Sequence, residues 1–149
     1  MNDSTENSWL NRLRTLLGGR SDGDENDGKA TPAARPAGPR RNYANLSPRE
    51  LSALLKSDKR LIVIDVREPW EYATGHVRGA RLMPLGQLHL HLSKLDPKQP
   101  VAVICAHGNR SRSGAAQLVR HGLSEVYNVV GGTEAWRRAG LPVSRDQSK

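Results

Sequence analysis

Val101-Ala102-Val103-Ile104-Cys105-Ala106-His107-Gly108-Asn109-Arg110-Ser111-Arg112-Ser113 contains the one cysteine of this 149-residue chain, and its pattern decides the fold. The apolar run from Val101 to Ile104 is short, rich in β-branched residues and set off by Pro97 and Pro100, which predicts a buried strand. From Ser113 to His121, the residues Ala115, Ala116, Leu118 and Val119 recur at helical spacing. The order is strand, tight loop, helix, with Cys105 where the strand ends.

The first turn of a helix leaves backbone N–H groups without intrahelical partners, and the aligned peptide dipoles place partial positive charge there. A cysteine curled over that turn has its thiolate favoured over its thiol. Gly108 lets backbone approach closely, and Arg110 and Arg112 add fixed positive charge. The expectation is an accessible thiolate in a concavity of amides, a nucleophile whose product is also anionic. A free cysteine is more often a small buried hydrophobe, but such cysteines lie within apolar runs. Cys105 ends one, and the next seven residues carry no large apolar side chain.

Working outward, Leu61-Ile62-Val63-Ile64-Asp65-Val66 is a continuous apolar run of the kind found in strands covered on both faces, which predicts a parallel α/β sheet. Ser47-Pro48-Arg49-Glu50 forms a capping box with proline at the first helical position, followed by Leu51, Leu54 and Leu55; a helix from Pro48 to about Lys56 is expected. After Asp65 and Arg67, Pro69 begins a helical turn. Gly75 to Ala80 then leads into a short strand from Arg81 to Met83. Leu85, Leu88, Leu92 and Leu95 predict a helix before Asp96-Pro97. Val126 to Val130 is a last strand, ending in a Gly131-Gly132 turn and a helix from Thr133 to Arg138. In sheets of this kind, reactive groups lie beyond the carboxyl ends of the strands, where Cys105 falls.

Before the domain, which is expected over 43–145 with a tail over 146–149, stands an extension of different composition. Trp9, Leu10, Leu13, Leu16 and Leu17 share one face of a short helix over 8–17, capped by Asn7 or Ser8 and stopped by Gly18-Gly19. Residues 18–42 are Gly-, Asp-, Pro-, Ala- and Arg-rich without periodicity, the composition of a flexible linker. The helix sets an apolar stripe beside Arg12 and Arg14, suited to docking on a partner protein or an anionic membrane surface. No signal peptide or membrane span is apparent, and one cysteine forms no internal disulfide, so the expected location is the cytoplasm, with the helix as a peripheral membrane contact. The net charge is +8, of which +7 falls after residue 44 (sixteen basic against nine acidic), yet no more than two basic residues are adjacent and aromatics are few. Small anions or acidic proteins suit this distribution better than nucleic acid.

Three stretches together resemble the rhodanese-like domain, a single-domain sulfurtransferase family: Asp65-Val66-Arg67-Glu68-Pro69-Trp70-Glu71-Tyr72 through Gly75-His76-Val77-Arg78-Gly79-Ala80, the loop Cys105-Ala106-His107-Gly108-Asn109-Arg110-Ser111, and Val129-Val130-Gly131-Gly132-Thr133-Glu134-Ala135-Trp136. The resemblance covers about Asn45 to Val143. It implies a three-layer α/β sandwich, with a five-stranded parallel sheet flanked by helices, and a persulfide carried on Cys105. It also implies a small-molecule sulfur donor such as thiosulfate and an acceptor such as cyanide or a thiol, with Ala106, His107, Gly108, Asn109, Arg110 and Ser111 forming the substrate-binding loop. Asp65 and Arg67 are read as a bracing ion pair and His76 as a structural hydrogen-bonder, in support of that loop. Trp70, Tyr72 and Trp136 are read as core or rim packing. No cofactor is expected, and no metal: His89 and His91, two apart in a helix, cannot share a face.

Two other classes of function compete. Related folds use a cysteine-to-arginine loop to hold phosphate or arsenate, but the phosphatase signature that this loop resembles has five intervening residues, and here there are four. The other is a non-catalytic delivery or binding module working through the N-terminal helix. Because residues 1–42 carry no core-forming pattern, their deletion is expected to leave thermal stability and turnover of small substrates nearly unchanged. A truncated protein that loses either would show that the extension belongs to the domain.

Overall fold

Ser47 opens the first helix, α1 (Pro48–Ser57), as the capping box predicts: its hydroxyl accepts from the Glu50 N–H at 3.1 Å, and the Glu50 carboxylate accepts from the Ser47 N–H at 2.8 Å. The computed structural model describes residues 43–145, so the expected helix over 8–17, the linker over 18–42 and the tail over 146–149 lie outside the described residues. The remaining elements are β1 (Ala44–Leu46), β2 (Ile62–Asp65), α2 (Pro69–Ala73), β3 (His76–Val77), β4 (Arg81–Leu82), two 3₁₀ segments (Leu85–Leu90 and Leu92–Lys94), β5 (Val101–Ile104), α3 (Asn109–Arg120), β6 (Val126–Val129), α4 (Gly132–Arg138) and β7 (Val143–Ser144).

Strands β1, β6, β5, β2 and β4 lie side by side in that order, every pair parallel, while β3 and β7 form a separate antiparallel ribbon. All four residues of β5 are buried, which explains why the run reads apolar throughout. Successive side chains on a strand face opposite ways. Val101, Val103 and Cys105 therefore share one core with Ala115 and Leu118 of α3, Leu88 and Leu95, while the equally buried Ala102 and Ile104 face the other layer. Helix α1 packs on α4, and α3 packs on the first 3₁₀ segment, so two groups of helices flank the sheet.

Several details differ from the sequence reading, among them the unforeseen strand β1 and the β3–β7 ribbon. The helix expected from Leu85 to Leu95 is a pair of 3₁₀ segments; Leu85 and Leu88, and again Leu92 and Leu95, are three apart, which is the 3₁₀ repeat, and Gly86 weakens the α-helical alternative. Helix α3 starts at Asn109 rather than Ser113, because its first turn carries no apolar residue for periodicity to register. Trp70 is not packed: it is 71% exposed, whereas Tyr72 and Trp136 are buried as expected.

The turn after β6 brings α4 onto the end of β5. Thr133 N–H donates to Cys105 O at 2.8 Å and Glu134 N–H to Ala106 O at 3.1 Å. Such proximity requires glycine: Gly132 has φ of +61°, and a Cβ there would lie 2.2 Å from Cys105 O and 2.5 Å from Ala106 O. Gly132→Ala combines a left-handed backbone with overpacking against peptide atoms, and should cost about 2–5 kcal/mol. A fall of roughly 10 °C or more in the thermal midpoint is expected; an unchanged midpoint would contradict the close approach.

Candidate active site

Cys105 follows the last residue of β5, and the chain bends at once so that its own sulfur accepts from the start of the next helix. Sγ accepts from Gly108 N–H at 3.0 Å and from Ser111 N–H at 3.2 Å. Ser111 is the third residue of α3, and its N–H is one of the first-turn donors that a helix cannot satisfy internally. The sulfur thus does the work of a capping oxygen. Gly108 makes the bend possible, with φ of +102° and space for no side chain: a Cβ there would lie 3.0 Å from Gly131 N. Two backbone donors thus converge on the sulfur, but the expected accessibility is corrected. Cys105 is 1% exposed, beneath a loop whose His107 and Asn109 face solvent and whose Ala106 is half-buried.

Below the sulfur lies a polar chain. Ser111 Oγ stands 3.5 Å from Sγ, and its hydroxyl donates to Asn128 Oδ1 at 2.5 Å. Asn128 Nδ2 in turn donates to Asn45 Oδ1 at 3.1 Å. With its single proton given to Asn128, Ser111 turns its lone pairs to the sulfur and accepts from the thiol S–H. Ser111 and Asn128 are both buried. Sequence reading missed Asn128 and Asn45. The available signal was Asn128 itself, an amide inside Val126-Tyr127-Asn128-Val129, a strand buried at each position.

The guanidinium of Arg110 is paired with a carboxylate. Its Nη1 and Nη2 donate to the two carboxylate oxygens of Glu71 at 2.9 and 3.0 Å, a bidentate pair joining α3 to α2. The hydrogen bonds from Arg110 hold the Glu71 carboxyl well below the usual carboxylate range, at about 2, and the same contact raises the guanidinium further. Arg112 is exposed and reaches back to Asn109 Oδ1 at 3.5 Å. Glu71 was also missed, since 39 residues separate it from Arg110.

Asp65 and Arg67 form a buried ion pair. Arg67 Nε donates to Asp65 Oδ1 at 2.9 Å, Nη2 to Oδ2 at 2.8 Å, and Nη2 also to Gly75 O at 2.9 Å, all buried. His76 Nδ1 lies 2.9 Å from Tyr72 O, and its ring stacks on Tyr72 with centroids 3.6 Å apart. Tyr72 OH donates to Ala80 O at 2.6 Å. These residues shape the segment after β2, whereas the contacts of Cys105 Sγ come from Gly108 and Ser111.

Comparison with known proteins agrees with this geometry. Residues 47–139 match the rhodanese-like domain. Over 95 residues the chain is 38% identical to the thiosulfate sulfurtransferase GlpE of Ectopseudomonas mendocina, covering 64% of this chain and 85% of that protein. A crystal structure of a rhodanese-related protein from Thermoplasma volcanium superposes with a TM-score of 0.62 at 34% identity, covering 70% of this chain and all of that one. The polysulfide-sulfur transferase homodimer of Wolinella succinogenes gives 0.62 at 33% identity, covering 71% and 80%. With Cys105 at the carboxyl edge of a five-stranded parallel sheet and its sulfur turned into the start of the following helix, the chain belongs to the rhodanese-like domain family.

Proposed function

We propose that this protein is a sulfurtransferase in which Cys105 carries a sulfane sulfur between a small donor and a thiophilic acceptor. The observation that carries the reading is the sulfur held by the amides of Gly108 and Ser111 at the mouth of α3. The thiolate attacks the outer sulfur of a donor such as thiosulfate; a new S–S bond forms at Cys105 as the donor's S–S bond breaks, and sulfite leaves with the electron pair. The persulfide anion is stabilised by backbone donors of the loop Ala106-His107-Gly108-Asn109 and the first turn through Arg110 and Ser111. An acceptor such as cyanide or a thiol then takes the terminal sulfur and returns the thiolate. Asp65, Arg67 and His76 act by bracing the neighbouring loop. One free thiol with no second cysteine suits a reducing compartment such as the cytoplasm, and makes the acceptor an external molecule. The helix over 8–17 is proposed as a docking element for a partner protein or an anionic membrane surface. Among the described residues, no helix is long and apolar enough to cross a membrane.

The phosphatase alternative meets a geometric obstacle. Four residues separate Cys105 from Arg110, one fewer than in the phosphatase signature, and α3 already begins at Asn109. One residue is about 3.8 Å of chain. The shorter loop closes its amides on a single sulfur atom, whereas a phosphoryl group needs donors against three equatorial oxygens.

Two measurements test the proposal. Intact-mass analysis after thiosulfate should show the gain of one sulfur atom on the wild type, reversed by cyanide. Cys105→Ser should show neither the gain nor turnover, while keeping its thermal midpoint because serine oxygen accepts from the same amides. A wild type that never gains sulfur, or a serine variant that turns over normally, would refute the mechanism. In the same buffer, aryl-phosphate hydrolysis should be negligible; phosphatase turnover that exceeds sulfur transfer and vanishes in Cys105→Ser would reverse the assignment.

A further inference from the structure

One positive charge within the Cys105 loop, that of Arg110, is already engaged by a carboxylate. Arg110 precedes Ser111, whose N–H touches the sulfur, and Arg110 is an electrostatic neighbour of that sulfur. Both terminal nitrogens of its guanidinium donate to Glu71. Glu71 is held from behind as well, since its Oε1 accepts the Glu68 N–H at 2.9 Å at the start of α2. The Arg110 side chain is 38% exposed and that of Glu71 16%, so a molecule arriving from solvent can reach the guanidinium, with the carboxylate tucked against it. The pair has no net charge, and an arriving dianion must either displace Glu71 from Arg110 or sit beside a second negative group. Because Glu71 stays ionised down to about pH 2, no working pH relieves this competition.

Resting on the sulfurtransferase reading, we propose that Glu71 determines donor specificity: it competes with oxyanionic donors for Arg110 and so biases the site toward sulfane-sulfur donors that carry little negative charge. Glu71 acts through Arg110 and is a positioning residue. Glu71→Gln keeps a carbonyl oxygen for the Glu68 N–H and Arg110 Nη1, removes the charge, and sets an amide NH2 in place of the oxygen that accepts from Arg110 Nη2, which loosens the hold on the guanidinium.

The test compares wild type, Glu71→Gln, Glu71→Asp and the double variant Glu71→Gln/Arg110→Gln. In thiosulfate-to-cyanide transfer, Glu71→Gln should lower the KM for thiosulfate about fivefold with kcat little changed. A readout independent of sulfur transfer is the ratio of Cys105 alkylation rates by iodoacetate and iodoacetamide at one pH. The thiolate displaces iodide from both, so the ratio reports only the potential met by an anionic reagent. It should rise about fivefold in Glu71→Gln, stay near the wild-type value in Glu71→Asp, and return to that value in the double variant. An unchanged KM and ratio in Glu71→Gln would overturn the proposal, as would equal losses with both reagents together with a lower thermal midpoint, the mark of a purely structural residue. If the ratio rises but no variant gains sulfur from thiosulfate, the competition for Arg110 stands and the sulfurtransferase reading falls.

Discussion

The sulfur of Cys105 is at once the acceptor that starts α3 and the atom with the chemistry. A helix beginning inside a folded domain must place its first N–H groups somewhere, and here two converging amides, Gly108 and Ser111, spend theirs on one thiol. That single choice dictates much else. The loop has to reverse within three residues, so Gly108 takes a left-handed conformation, and the reversed loop lies so near the β6–α4 turn that side chains are excluded at Gly108 and Gly132. The carbonyls of Cys105 and Ala106 are then satisfied from the opposite side by the first turn of α4. Two helix starts meet at one strand end, one donating to the sulfur of Cys105 and the other to the carbonyls of Cys105 and Ala106.

Much of this was legible in the residues. Four of the five sheet strands announce themselves as apolar runs or short extended segments, and the cap of α1 follows from Ser47, Pro48 and Glu50 alone. Asp65 and Arg67, two apart at a strand end, are readable as an ion pair. The misreadings have physical causes. Strand β1 is three residues long, with Asn45 exposed, and its place comes from pairing with β6, some 80 residues away in sequence. The start of α3 was placed late because a polar first turn has no hydrophobic period. Large aromatics usually pack, yet Trp70 stays in solvent and only its neighbour Tyr72 turns inward.

The site residues that escaped sequence reading share one property, which is that their partners are brought to them by sheet topology. Strands β2 and β5 are adjacent, though α2, two short strands and both 3₁₀ segments intervene in the chain. Their following helices therefore start side by side, and Glu71 meets Arg110. Strands β5 and β6 are adjacent too, with Val103 paired to Asn128, which places that amide under Ser111. Local pattern reveals which element a residue belongs to. It does not reveal which strand lies next door, and both missing contacts depend on that order.

The electrostatic balance that results is narrower than the overall charge of +8 implies. Two of the cations beyond the strand ends are paired with carboxylates, Arg67 with Asp65 and Arg110 with Glu71, while Arg112 is exposed on the first turn of α3. The amides at the start of α3 add a dipolar field, which is short in reach and directed at the sulfur. A field of that kind favours negative charge on an atom bonded to Cys105 far more than charge spread over a distant oxyanion, because partial charges on N–H groups act over a bond length or two while a full cation acts over many ångströms. A persulfide puts its charge on such an atom. The pairing of Arg110 with Glu71 and the short loop thus act in the same direction, one removing long-range attraction for bulky anions and the other confining the strong local donors to a volume about the size of one sulfur.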